Sequence, residues 1–312
     1  MLKLVDQTLQ ELGLMPGGAV SRYTINITAG ESLAISVFVS DTLFFQVKAS
    51  EFMDLGAQYE AYCRAWEDFQ ALVPHPLGLV AREGWSIMVT EGKHHVMADS
   101  ADLLPVARDR APALARQLFG YFEASARRAG QHPLIDATGR FENELAAHFS
   151  AGALARVASY WIEQSRQAGI DAMARVPQHG DFVFNNLASS NGQLVIFDWE
   201  DYGRCGLPGL DIFTLCLSLL EEDLDGVRAM TDPAQGMGSP VDNLIRRACE
   251  IQSISLPMFR RLVPFYLLVF LYLKRNYGVP VQHRLEALLL QLTPPTVVAS
   301  QATVLGHATG SR

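Results

Sequence analysis

Residues 22–49 alternate apolar and polar positions with a period of two and are rich in β-branched and aromatic side chains, the pattern of half-buried strands. Residues 23–28, 33–39 and 43–47 read as three antiparallel strands, with turns at Ala29-Gly30-Glu31 and Ser40-Asp41. An amphipathic stretch precedes them (Leu2, Leu4, Val5, Leu9, Leu12, Leu14), ended by Pro16-Gly17-Gly18. The spacing then predicts a helix from Ser50 to about Leu72, two more strands over 77–81 and 85–90, and a linker at Glu91-Gly92. From about Asp102 onward the period becomes helical, as in Ala113, Leu114, Leu118, Tyr121 and Phe122. One hairpin interrupts it.

That hairpin carries most of the chemical information. The runs 186–188 and 194–197 flank Ser189-Ser190-Asn191-Gly192-Gln193, and Asn-Gly is the strongest local signal for a two-residue turn. With Asn191-Gly192 as the loop, Asn186 falls opposite Phe197 and Asn185 opposite Asp198, so Asn186 and Asp198 meet at the open end. Asp181 lies just upstream, in the segment feeding the first strand. Two carboxylates and an amide oxygen make an all-oxygen donor set, which suits Mg2+ held together with substrate phosphates. This is the constellation of a phosphoryl-transfer enzyme.

A chain of 312 residues exceeds what one core usually supports, so two units are expected: 1–92, a small β-rich lobe, and 93–312, a larger helical one. The small lobe holds five Lys and Arg against eleven Asp and Glu, which makes its few cations conspicuous. Lys48 is the first candidate among these, at the end of the strand Phe44-Phe45-Gln46-Val47, where an ammonium oriented by a carboxylate can reach nucleotide phosphates. Glu60 in the following helix is the preferred partner, with Glu51 and Glu67 as competitors. The net charge of −8, without clustered Lys and Arg, argues against a nucleic-acid binder. The four cysteines show no metal spacing and read as free thiols of a cytoplasmic protein. The longest apolar run, 262–273, falls short of a membrane span and reads as a buried helix, so no membrane is expected.

The order His179-Gly180-Asp181-Phe182-Val183-Phe184-Asn185-Asn186, then Ile196-Phe197-Asp198-Trp199-Glu200 and Gly206-Leu207-Pro208-Gly209-Leu210-Asp211, closely resembles the aminoglycoside phosphotransferase family of the protein kinase-like fold. The resemblance is strong over about 175–215 and extends in layout over nearly the whole chain. It implies an α+β, two-lobed fold and ATP, or GTP, as phosphoryl donor with Mg2+. Asp181 then handles the proton of the attacking hydroxyl, Asn186 and Asp198 bind metal, and His179 and Asp211 support the loop. Residues 88–90 become the hinge that hydrogen-bonds an adenine edge through Met88 and Thr90, and Ser32 a phosphate cap beside the turn 29–31. The chain departs from the family's frequent Leu-His-Pro-Gly filler, carrying Phe182-Val183-Phe184-Asn185 instead, and no GxxxxGK[ST] loop occurs. The acceptor is a small-molecule hydroxyl: aminoglycoside, sugar or amino alcohol. An inactive nucleotide-binding relative and a Mg2+-dependent phosphohydrolase are the alternatives. The acidic run 221–225 reads as a solvated helix end, and His75, His94 and His95 as loop histidines.

Overall fold

The computed structural model describes residues 1–14, 20–27, 32–93, 96–97, 112–130, 140–151, 154–220, 222–232, 241–275 and 278–299. The turn at 29–31, His94, His95, Glu221, the start of the expected helical region at 102–111 and the tail after 299 lie outside these residues. The chain begins with α1 (Leu2–Glu11), followed by β1 (Val20–Ile27), β2 (Leu33–Val39) and β3 (Thr42–Ser50). Helix α2 (Gly56–Phe69), β4 (Pro76–Arg82) and β5 (Trp85–Glu91) complete an antiparallel sheet of order β1-β2-β3-β5-β4. Among the described residues, the remainder is helical or irregular apart from β6 (Val96–Met97), β7 (Leu187–Ser190) and β8 (Gln193–Ile196), which form a three-stranded sheet. Its helices are α3 (Pro112–Arg127), α4 (Arg140–His148), α5 (Ala155–Gln167), α6 (Leu210–Leu219), α7 (Leu224–Thr231), α8 (Asp242–Ile251), α9 (Leu256–Leu273), α10 (Val279–Leu292) and α11 (Pro295–Ala299). A five-stranded small lobe beside a larger, mainly helical lobe is the expected architecture.

The apolar side chains sort into two cores. Leu4, Val5 and Leu9 of α1 pack on Ile35, Val37, Phe45, Val47, Ala49, Ile87 and Val89, which cover one face of the sheet. Helix α2 turns away from that cluster. Its Ala61, Tyr62, Ala65 and Phe69 join the large core of the helical lobe, around Trp199, Tyr202 and the aromatic residues of α3. The helix starts six residues later than its pattern suggests. Ser50 stays in β3 and its Oγ accepts from the backbone N–H groups of Phe52 and Met53, while Asp54 Oδ1 accepts from Gly56 N at 2.9 Å.

The junction at Glu91-Gly92 is tightly held. Gly92 N donates to Phe44 O at 2.7 Å, and a Cβ here would meet the backbone of Phe44 and Phe45 at 2.6–2.7 Å, so only glycine fits. At the centre of the larger lobe runs α9, long and apolar enough to cross a membrane by length and composition, with 72% of its stretch buried inside the protein. Ser255 caps it by accepting from Met258 N. Pro264, inside the helix, removes one ladder donor, and the dense packing of a buried core helix accommodates the loss.

Candidate active site

Local chemistry builds the hairpin as its letters suggest. Asn191 (φ 51°) and Gly192 (φ 77°) both adopt the left-handed conformation of a type I′ turn, which fixes the pairs Ser190 with Gln193 and Leu187 with Ile196. Phe197 N donates to Asn186 O at 2.8 Å, one step further along the same register. Asn186 and Asp198 therefore end at the same edge.

The catalytic-loop segment is anchored from behind. The buried Asp211, at the start of α6, accepts from His179 N at 2.7 Å, from Gly180 N at 3.0 Å and from the hydroxyl of Tyr121. Burial raises its carboxyl above the usual range, and these three donors favour the ionised form. Gly180 takes φ 87°, and a Cβ there would lie 2.9 Å from that of Asp201. His179 is fully buried. Its Nδ1 accepts from Asp181 N at 3.2 Å, which makes Nε2 the donor to Phe197 O at 2.8 Å and the ring neutral. Burial accordingly holds its pKa below the ordinary value.

The Phe182–Asn185 filler is packed, not loose. Phe182 is completely buried and stacks on Tyr121 at 4.6 Å, and its carbonyl accepts from Thr214 Oγ1 at 3.2 Å. Asn186 N closes the following 3-10 turn on Val183 O at 2.9 Å. Asn186 Nδ2 donates to Asp181 O at 2.8 Å and to Asp181 Oδ2 at 3.1 Å. The bulky filler thus anchors the loop to the core while leaving Asp181 and Asn186 in contact.

Asp198 stands at the end of β8 in a left-handed conformation (φ 61°), a backbone state that costs a non-glycine residue about 1 kcal/mol or more. Its N–H donates to the hydroxyl of Tyr62 from α2 at 3.0 Å. Burial first, and then the neighbouring Glu200, push its carboxyl up to about 7, with Lys48 and Lys274 pulling the other way.

The structure corrects two pairings. Lys48 does not meet Glu60: its Nζ lies 2.7 Å from Glu200 Oε2, while Glu60 is exposed and pairs with Arg64 at 3.5 Å. The buried face of α2 is Ala61, Tyr62, Ala65 and Phe69, and inserting Tyr62 under Asp198 turns Glu60 to solvent, as it does Glu67; Glu51 is likewise exposed. Met88 and Thr90 do not form a free hinge edge. They lie within β5, flanked on both sides, Met88 by Lys48 and Leu79 and Thr90 by Gln46 and Pro76, so their backbone groups are committed to the ladders. Glu91 N and Gly92 N are also taken, by His75 O and Phe44 O. Ser32 is buried at the start of β2. Of the acidic run, Asp223 caps α7 by accepting from Gly226 N at 2.6 Å, Glu222 pairs with Arg284 at 3.4 Å, and Asp225 is exposed beside Arg228.

Several residues at the site carry no local sequence signal. Lys274 Nζ lies 2.5 Å from Asp181 Oδ2, both side chains buried. Tyr62, Tyr121 and Asp201 stand around the acidic cluster from three separate elements.

These geometries define the fold of the aminoglycoside-phosphotransferase-like small-molecule kinases. Among solved structures, the chain is similar to a thermostable mutant of the aminoglycoside phosphotransferase APH(4)-Ia in ternary complex with ADP and hygromycin B: TM-score 0.58, 14% identity, covering 93% of this chain and 98% of that one. Amicoumacin kinase hAmiN, in complex with AMP-PNP, Ca2+ and Ami, gives a TM-score of 0.58 at 13% identity over 94% and 97%. A choline/ethanolamine kinase family protein from Mesorhizobium loti gives 0.55 at 14% over 94% and 96%. No family model and no curated protein sequence matches the chain.

Proposed function

We propose that the protein is a kinase of small molecules, transferring the γ-phosphoryl group of ATP to a substrate hydroxyl. One observation carries this reading: Asp181 and Asn186 are hydrogen-bonded to each other at the mouth of a hairpin whose other strand leads into Asp198, and Lys48 from the small lobe pairs with Glu200 two residues beyond. The kinase fold of the neighbours, some crystallised with ADP or AMP-PNP, supports nucleotide as the donor.

Asp181 takes the acceptor's hydroxyl proton as that oxygen bonds to the γ-phosphorus. The bond from phosphorus to the β–γ bridging oxygen breaks, and ADP leaves with the electron pair. Lys48 supplies positive charge to the phosphates, and the packed loop fixes the geometry on which in-line transfer depends. The donor set fits Mg2+: among the described residues no three His, Cys, Asp or Glu side chains converge to hold an ion alone, whereas one carboxylate (Asp198) and one amide oxygen (Asn186) suit an ion that completes its shell with phosphate oxygens and water. Bound there, Mg2+ would neutralise developing phosphate charge. A phosphohydrolase would use the same oxygens but has no need of a lysine placed beside them from the opposite lobe.

The test couples two measurements. Thermal stability is followed with Mg-ATP and Mg-GTP. ADP release is then followed across an alcohol panel that includes hygromycin B, amicoumacin, choline and ethanolamine, the compounds associated with the neighbours. Stabilisation by nucleotide that is lost in Asp198→Ala, with acceptor-dependent ADP release, is the expected result. Absence of both overturns the reading.

A further inference from the structure

We propose that Lys274, at the C-terminal end of α9, is a positioning residue for phosphoryl transfer: it occupies one oxygen of Asp181 and thereby aims the other at the acceptor hydroxyl. The inference rests on the kinase reading and concerns the same site.

The two oxygens of Asp181 are in unlike states. Oδ2 takes the Lys274 ammonium at 2.5 Å and the Asn186 amide at 3.1 Å. Oδ1 is buried with no hydrogen-bond partner, in a residue only 5% exposed. A pair serving solely to neutralise a buried carboxylate would share its donors between both oxygens, because an orphaned buried acceptor forfeits its hydration without return. Here the donors are concentrated on one side and the remaining lone pairs are left for a hydroxyl group that arrives with the acceptor. The asymmetry is what a general base requires: its reactive oxygen committed to no donor, its other oxygen fixed.

The helix explains why a lysine can be held there. Lys274 is the C-cap of α9, its N–H bonded to Phe270 O, so the ammonium sits beside the partial negative charge of the last turn. Its stem runs past the Phe270 ring, with Nζ 5.4 Å from the centroid. Thirteen residues of α9 are buried, so the helix is a rigid mount that cannot drift with the surface. From this position the ammonium is also within electrostatic reach of Asp198, Asp201 and His179. The cation that orients the base comes from the far end of the core helix, 93 residues after the loop, so no motif around Asp181 reveals it.

The experiment measures ADP release from Mg-ATP, with the panel alcohol that supports turnover and with water alone. A parent protein inactive in both overturns the kinase reading itself. With an active parent, Lys274→Met is expected to lower kcat roughly a hundredfold while the KM for Mg-ATP stays within about threefold. Lys274→Arg retains charge, and thus the fold, but its longer planar fork displaces the carboxylate, so kcat is expected to fall about tenfold or more. In a Cys63→Ser background, Lys274→Cys alkylated with 2-bromoethylamine rebuilds a lysine-length ammonium and is expected to recover most of kcat. An unchanged kcat in Lys274→Met, full activity in Lys274→Arg, or no recovery after complete alkylation confirmed by mass overturns the inference. So does a KM for Mg-ATP that rises in step with the fall in kcat.

Discussion

Lys48 and Lys274 reach the same acidic cluster from different lobes, each with an ammonium–carboxylate contact, at 2.7 Å and 2.5 Å. Their settings differ. The Lys48–Glu200 side chains are 22% and 24% exposed, and Lys48 lies on a strand of the sheet; Lys274 and Asp181 are 5% and 7% exposed, at the end of a buried helix. In the first pair, water screens the attraction and either partner can let go at little cost. In the second, neither charge survives alone without a large desolvation penalty. On the proposed reading the small-lobe lysine exchanges its carboxylate for phosphate when nucleotide binds, whereas the larger-lobe lysine is a fixture.

The strongest way to break this comparison is through the shared carboxylates. Asp181→Asn is expected to reduce turnover about a thousandfold with nucleotide affinity nearly intact, checked by ADP release and by thermal shift with Mg-ATP; turnover within tenfold of the parent removes the general base. Next comes stability. Lys274→Met leaves a buried unpaired carboxylate and is expected to lower the unfolding free energy by about 3–5 kcal/mol, much of it recovered in the Asp181→Asn/Lys274→Met double variant, as read by urea denaturation. Lys48→Met is expected to cost at most about 1 kcal/mol in the same assay yet to raise the KM for Mg-ATP roughly tenfold. Equal stability losses in the two methionine variants would erase the distinction. Glu60→Ala, on the exposed face of α2, should change stability by less than about 0.5 kcal/mol and activity hardly at all.

The smallest effect is one of pH. The buried neutral ring of His179 has its pKa lowered from the model-compound value of 6.5, so the unfolded chain binds the extra proton first. Its contribution to stability is complete above about pH 6.5 and is lost as pH falls toward the lowered native value. Between pH 8 and pH 5.5 this loss opposes the gain from Asp198, whose raised carboxyl takes up its proton first in the folded state, so urea midpoints should gain more, or fall less, toward low pH in His179→Asn than in the parent; parallel slopes would show that the ring is not held neutral.

What the letters revealed follows the range of the forces involved. The hairpin and its register were legible because Asn191 and Gly192 carry their turn geometry locally, and the placement of Asn186 and Asp198 follows from counting residues along two strands. Asp211 and His179 were legible through resemblance, and their hydrogen bonds give the physical reason. The partner of Lys48 was not legible, since it depends on how α2 is rotated about its axis, which Tyr62 and Phe69 decide by packing on Asp198 and Trp199 across 136 and 130 positions. The hinge expectation failed because alternation identifies a strand but not its neighbours: β5 is an interior strand, paired on both sides. Lys274 left one trace, a charge closing an otherwise apolar run, and that trace does not name the carboxylate it serves.

Helix α2 is fastened to the larger lobe at both ends of its buried face. Tyr62 accepts from the backbone of Asp198, and Asp68 receives both the hydroxyl of Tyr202 and the guanidinium of Arg128, whose second nitrogen reaches Asp68 O at 2.8 Å. Swinging this helix outward would strip a buried tyrosine, a half-buried acid and an arginine of their partners together. A helix so clamped takes its place against the Asp198 hairpin as part of folding, and needs no separate event to bring it there.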